Sequence, residues 1–146
     1  MAQIVGNHHG TVLEQQVCAL LVSKGYTQVV SDVFDTAQTP VFVRQYRRFK
    51  TLYGAKMRLD VLLKHPQRWP ESLAIECKWQ QSVGSVDEKF PYVVENMKAL
   101  PIPAAVLLAG GGYSKRAAEW LLSQETERLT IVEGLDAIIR WGHAQL

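Results

Sequence analysis

The spacing of hydrophobic positions changes several times along the chain, and each change marks an element. In TVLEQQVCALLVSK, residues 11–24, Leu13, Val17, Leu20 and Leu21 follow the i, i+4, i+7, i+8 spacing of one helical face. Gly25 supplies the stop. YTQVVSDVF, 26–34, predicts a short strand. From Val41 to Leu63 apolar and basic residues alternate around a turn at Gly54, which predicts a β-hairpin. HPQRWPES, with two prolines, reads as a loop. LAIECKWQ, 73–80, is a strand with Ile75, Cys77 and Trp79 on one face and Glu76, Lys78 and Gln80 on the other. Val86, Phe90, Val93, Met97 and Leu100 then form a helical stripe with Ser85 as the expected N-cap. Proline fits only the first turn of a helix, so regular helix is expected to begin near Pro91, after an irregular turn at 85–89. AAVLLAG, 104–110, is the unbroken apolar run of a strand buried on both faces. A helix over 114–124 capped by Ser114, a strand LTIVE and a closing helix LDAIIRWGHAQL complete the chain.

This order of helices, antiparallel strands and later alternating strands predicts an α/β fold, a three-layer α/β/α sandwich with a mixed central sheet. At 146 residues, 47% apolar and 21% charged, the expectation is a single domain over residues 1–146 that buries a core unaided. No apolar run approaches the roughly 20 residues that span a bilayer. MAQIVGNHHG lacks the basic-then-apolar order of a secretory signal. Cys18 and Cys77 both sit in apolar elements without metal-ligand spacing. Together these features point to a cytoplasmic protein.

Charge adds more through its distribution than through its total, which is only +2. Between residues 36 and 70 lie Arg44, Arg47, Arg48, Lys50, Lys56, Arg58, Lys64 and Arg68, with Asp60 the only acid. A basic segment on an otherwise acidic chain is the footprint of a polyanion partner, DNA or RNA first. The alternative is a solvated hairpin whose lysines and arginines guard an exposed edge.

Consecutive strands usually neighbour one another, so Asp60 is expected across from Glu76 on the same face, within reach of a shared cation. Two hard carboxylates, a backbone carbonyl and waters suit Mg²⁺. Lys78 points toward the same place, where an amine can stabilise charge developing on phosphate. Glu14 falls about 100° from Leu13 and about 20° from Leu21 on the helical wheel, at the border of the apolar stripe. Taken singly, the E-x-K reads as a surface ion pair and Glu14 as a boundary residue. Other features carry less. LLAGGGYSK lacks both phosphate-loop spacings. His8 and His9 have no third ligand nearby and read as an exposed terminus, and the four tryptophans read as core or boundary residues.

A helix with Glu14, then Asp60, then E-x-K-x-Q on consecutive strands, then helix and strand, resembles the PD-(D/E)XK nuclease superfamily over roughly residues 10–120. The resemblance implies a restriction-endonuclease-like α-β-β-β-α-β core, followed here by a C-terminal α-β-α extension. It implies Asp60, Glu76 and the Cys77 backbone carbonyl as metal ligands, with Glu14 reaching the ion through water. Lys78 then activates the attacking water and Gln80 orders the site. Leu59 stands where many members have proline before the aspartate. The expected activity is a DNA endonuclease using Mg²⁺, with Mn²⁺ as substitute, that hydrolyses phosphodiester bonds by metal-activated water. Arg44, Arg47, Arg48, Lys50, Lys56, Arg58 and Lys89 are the expected phosphate grip, and K-W-Q…GS-x-D-E-K, which resembles a stretch of some nucleases of this fold, adds Tyr92 beside Lys89. The expected assembly is a homodimer or a subunit of a larger DNA-processing complex. A structure-selective resolvase of the Holliday-junction type, an RNA-directed nuclease and an inert nucleic-acid or protein-binding module remain open alternatives.

Overall fold

A computed structural model describes the backbone of residues 2–81 and 85–146 and the side chains of residues 11–81 and 87–146. The elements are α1 (Ala2–Ser23), β1 (Thr27–Gln28), α2 (Ser31–Thr36), β2 (Val41–Lys50), β3 (Lys56–His65), β4 (Trp69–Trp79), a 3-10 turn (Ser85–Lys89), α3 (Phe90–Lys98), β5 (Ala104–Ala109), α4 (Lys115–Leu122), β6 (Leu129–Glu133) and α5 (Leu135–Gln145). The six strands form one mixed sheet in the order β1-β2-β3-β4-β5-β6. β3 runs antiparallel to both β2 and β4, while β1 joins β2, β5 joins β4 and β6 joins β5 in parallel.

Two cores separate the three layers. Leu13, Val17 and Leu21 of α1 and Ile138 of α5 pack over Phe42, Val61, Leu63, Ile75 and Leu107. On the other face Phe90, Val94 and Met97 of α3 and Leu121 of α4 cover Val43, Leu59, Leu62, Ala74, Val106 and Leu108. β5 is buried at every position, as its unbroken apolar run requires. Among the described residues no helix is long and apolar enough to cross a membrane.

Three elements differ from the sequence expectation. The segment 26–34 is not one strand: only Thr27–Gln28 pairs with β2, and Ser31 opens α2. The helix forms because Phe34 finds the α3-side core while Arg48 of β2 binds both Asp32 and Asp35. β4 starts at Trp69 rather than Leu73, since His65 Nδ1 accepts the N–H groups of Gln67 and Arg68, each at 3.1 Å, and closes the expected loop into a short turn. α1 reaches back to Ala2, beyond the amphipathic stretch. Its C-terminus is the expected glycine stop: Tyr26 N–H bonds Leu21 O and Gly25 N–H bonds Val22 O, with Gly25 at φ +94°. The irregular turn before α3 is the 3-10 turn, and Pro91 lies in the first turn of α3. The expected Ser85 cap and the side chains of His8 and His9 lie outside the described residues.

Candidate active site

The sheet is continuous at one end and split at the other. β3 pairs with β2 from end to end, but its ladder with β4 stops at Val61–Ile75. Beyond that point Glu76, Cys77, Lys78 and Trp79 pair only with β5. Two carboxylates close the gap in place of the missing ladder. Asp60 N–H donates to Glu76 Oε1 at 3.0 Å, and Cys77 N–H donates to Asp60 Oδ2 at 2.8 Å.

A break in strand alternation explains how Asp60 comes to this position. Met57 and Leu59 face the α3-side core, whereas Val61 and Leu63 face the α1-side core. Strict period two would put all four on one face, so Asp60 is an extra residue that turns toward α1. β2 breaks at the facing position. Its pairs Arg44↔Val61 and Tyr46↔Leu59 place Gln45 opposite Asp60, and Gln45 has φ +56°. A left-handed glutamine inside a strand is strained by about 1 kcal/mol or more. Its effect is to send consecutive side chains, Arg44 and Gln45, to the same acid: Arg44 Nε lies 3.2 Å and Gln45 Nε2 2.9 Å from Glu14 Oε1.

Two clefts open at the split end. One, of about 590 Å³ on the α1 side, is lined by Glu14, Asp60, Cys77, Arg44, Gln45 and Arg47 among others. The second, of about 450 Å³ on the α3 side, contains Glu76, Lys56, Lys89 and Tyr92. Arg58 and Lys78 line both and so join them. Asp60 and Glu76 therefore do not project from one face, as sequence spacing alone implies; they meet through the gap between the strands.

The electrostatics of the pair are those of excess negative charge under partial cover. Burial raises the Asp60 carboxyl and the nearby Glu14 charge adds to it, against the Cys77 N–H, Lys78 and Arg58. Burial and then the Asp60 charge push the Glu76 carboxyl up to about 7, against Lys78 and the Asp60 N–H. Lys78 Nζ lies 3.3 Å from Glu76 Oε2. Two crowded hard oxygen donors with one amine beside them suit a hard divalent cation, which relieves their repulsion. Among the described residues no group of three His, Cys, Asp or Glu side chains gathers around one point, so a bound ion here also needs backbone or water oxygens.

The remaining expected site residues separate. Arg47 and Arg58 line the α1-side cleft, and Lys56, Arg58 and Lys89 the α3-side cleft. Arg48 is bound to α2 instead, and Lys50 lies among the lining residues of neither cleft. Gln80 is buried at the β5–α4 turn, where its Nε2 donates to Gly112 O at 3.4 Å, rather than on a cleft floor. Its backbone closes the same turn, accepting from Gly112 N–H at 2.7 Å. Sequence reasoning missed Gln45, because nothing in VFVRQYRRF signals a left-handed residue, and regular alternation points that side chain at α3.

A family model described as PD-(D/E)XK nuclease superfamily domain matches residues 5–144. No curated protein and no solved structure gives a significant match. The match runs through nearly the whole chain, and the observed element order agrees with it: the chain belongs to the PD-(D/E)XK nuclease superfamily and its fold is restriction-endonuclease-like.

Proposed function

We propose that this chain is a metal-dependent DNA endonuclease whose centre lies at the split between β3 and β4. Membership makes it nuclease-like, with nucleic acid the implied substrate class and divalent metal ions the usual cofactors of the superfamily. The finer reading rests on one observation: across the split the Glu76 carboxylate accepts the Asp60 N–H and the Asp60 carboxylate accepts the Cys77 N–H, with Lys78 3.3 Å from Glu76. Asp60, Glu76 and the Cys77 carbonyl are the proposed ligands. A bound Mg²⁺ or Mn²⁺ supplies Lewis acidity toward the phosphate and makes water a stronger acid.

The chain's own residues do the rest. The N–H groups of Asp60 and Cys77 fix the two carboxylates, so little reorganisation is needed when substrate arrives. Lys78 carries positive charge to the junction of both clefts, where it can stabilise charge developing on phosphate. Glu14, held by Arg44 and Gln45, is a proton acceptor for water on the α1 side. Arg47, Lys56, Arg58 and Lys89 take the phosphate backbone, which positions substrate without reading sequence.

The test is cleavage of supercoiled plasmid, linear duplex, single strand, flap and four-way junction in Mg²⁺, Mn²⁺ or EDTA. Metal-dependent cutting by the wild type, lost in Lys78→Ala by at least about a hundredfold, is expected. Salt-sensitive binding of these DNAs without cutting of any would make the chain an inert binding module.

A further inference from the structure

The tip of the β2–β3 hairpin leaves two aromatic rings in solvent. Tyr53 is 85% and Tyr92 41% exposed. Their ring centroids are 5.5 Å apart with planes 22° from parallel, so they stack. The tip is fastened. Leu52 N–H donates to the buried Asn96 Oδ1 of α3 at 2.8 Å, and Thr51 N–H donates to Ala55 O at 2.8 Å across the turn. Gly54, at φ +80°, completes the turn. The exposed Tyr53 ring on this anchored tip is little buried by folding, which leaves its outer face open to a ligand.

Position indicates the partner's chemistry. Tyr92 lines the α3-side cleft together with Lys56, Arg58 and Lys89, and Glu76 and Lys78 line the same cleft. Tyr92, cations suited to a phosphate chain and the Glu76–Lys78 part of the proposed centre thus line one cavity, and Tyr53 extends it outward by stacking on Tyr92. Bases inside a duplex are already stacked and offer only their edges, so flat ring faces match a base that has left the duplex. Such stacking tolerates any base, and the cations take the phosphates of the same strand.

We propose that Tyr53 and Tyr92 form a stacking subsite for an unpaired nucleobase, so that the substrate carries a single-stranded segment next to the phosphate presented to Glu76 and Lys78. The cutting part of this statement rests on the function proposed above; the binding part does not. The test is therefore binding without turnover. Fluorescence anisotropy in EDTA measures a labelled oligothymidylate, a blunt duplex and the same duplex with an oligothymidylate overhang. The proteins are the wild type, Tyr53→Ala, Tyr53→Phe and Tyr92→Ala. Tyr53 is nearly free of the core, so Tyr53→Ala is expected to keep the wild-type melting temperature. The wild type should favour the two DNAs with unpaired bases. Each alanine variant should weaken those two by at least about fivefold, and blunt duplex by less than about twofold, while Tyr53→Phe stays near wild type. Overhang binding equal to blunt-duplex binding in the wild type, or equal losses on all three DNAs, would overturn the subsite. So would no loss in either alanine variant, and the tyrosine pair would then belong to a different partner such as a protein. Absence of metal-dependent cleavage would remove the proposed function and leave this binding result to be read separately.

Discussion

Glu76 is buried beside a second carboxylate, and that placement makes folding pH-dependent. Its folded carboxyl titrates at about 7, above its ordinary value of 4.5. Between those values the folded chain holds on Glu76 a proton that the unfolded chain has released, so this carboxyl's contribution to metal-free stability is lost as pH rises from about 4.5 through 7. Glu76→Gln should flatten that decline in melting temperature measured across the range. Mg²⁺ has to displace the same proton, so its stabilising effect should grow with pH up to about 7 and fade below it. A metal-free pH dependence identical in wild type and Glu76→Gln would contradict the placement of Glu76. Gln45 acts at the same scale. Gln45→Gly removes the φ strain and the bond to Glu14 together. Slower cleavage with little change in melting temperature is expected, because the relieved strain offsets the lost hydrogen bond.

The elements set how firmly the site residues are held. β4 runs on from Lys78 into Gln80, whose backbone is gripped by the glycine turn after β5. A Cβ on Gly110 would stand 2.4 Å from Gln80 O, at φ +106°, and neither atom can yield without moving β4. Gly110→Ala should therefore cost about 2 kcal/mol or more, a melting shift of several degrees, and displace Lys78 as well. Ser114→Ala, which removes only the cap that accepts Ala117 N–H at 3.0 Å, should cost about 1 kcal/mol and leave cleavage intact. A Gly110→Ala protein as stable as Ser114→Ala would show that the turn does not hold β4. Most elements were legible in the sequence because a single face is buried: the α1 stripe, the basic hairpin and the β5 apolar run each carry their own period. The segment 26–34 was not, since its helix depends on Arg48, distant in sequence. Asp60, Glu76 and Lys78 stood out by residue type and spacing. Their meeting across a split, and the turn of Gln45 toward Glu14, depend on paired breaks in neighbouring strands, and no side-chain pattern signals a φ reversal.

Across the whole molecule, cations concentrate on one end of the sheet, where Arg47, Lys56, Arg58, Lys78 and Lys89 line the joined clefts. Nucleic-acid binding should weaken steeply with salt, log K falling by about 0.9 per phosphate neutralised for each unit of log salt. Arg58→Ala should lower that slope by about one phosphate equivalent and weaken all substrates alike, as measured by salt titration in EDTA. Arg48→Ala, whose guanidinium is bound to Asp32 and Asp35, should leave the slope unchanged. Equal slopes for Arg58→Ala and the wild type would move the phosphate path away from the clefts.

Asp60 and Glu76 are proposed to hold a divalent ion at the split end of the sheet, and a metal-induced melting shift tests that placement without turnover. Wild type, Asp60→Ala and Lys78→Ala are melted with EDTA and with saturating Mg²⁺ or Mn²⁺. An ion at about a hundred times its dissociation constant adds about 2.7 kcal/mol to folding, several degrees for a chain of this size. Such a shift is expected in wild type and in Lys78→Ala, which should lose cleavage but keep both proposed ligands, and none is expected in Asp60→Ala. No shift in wild type, or an undiminished shift in Asp60→Ala, would contradict it.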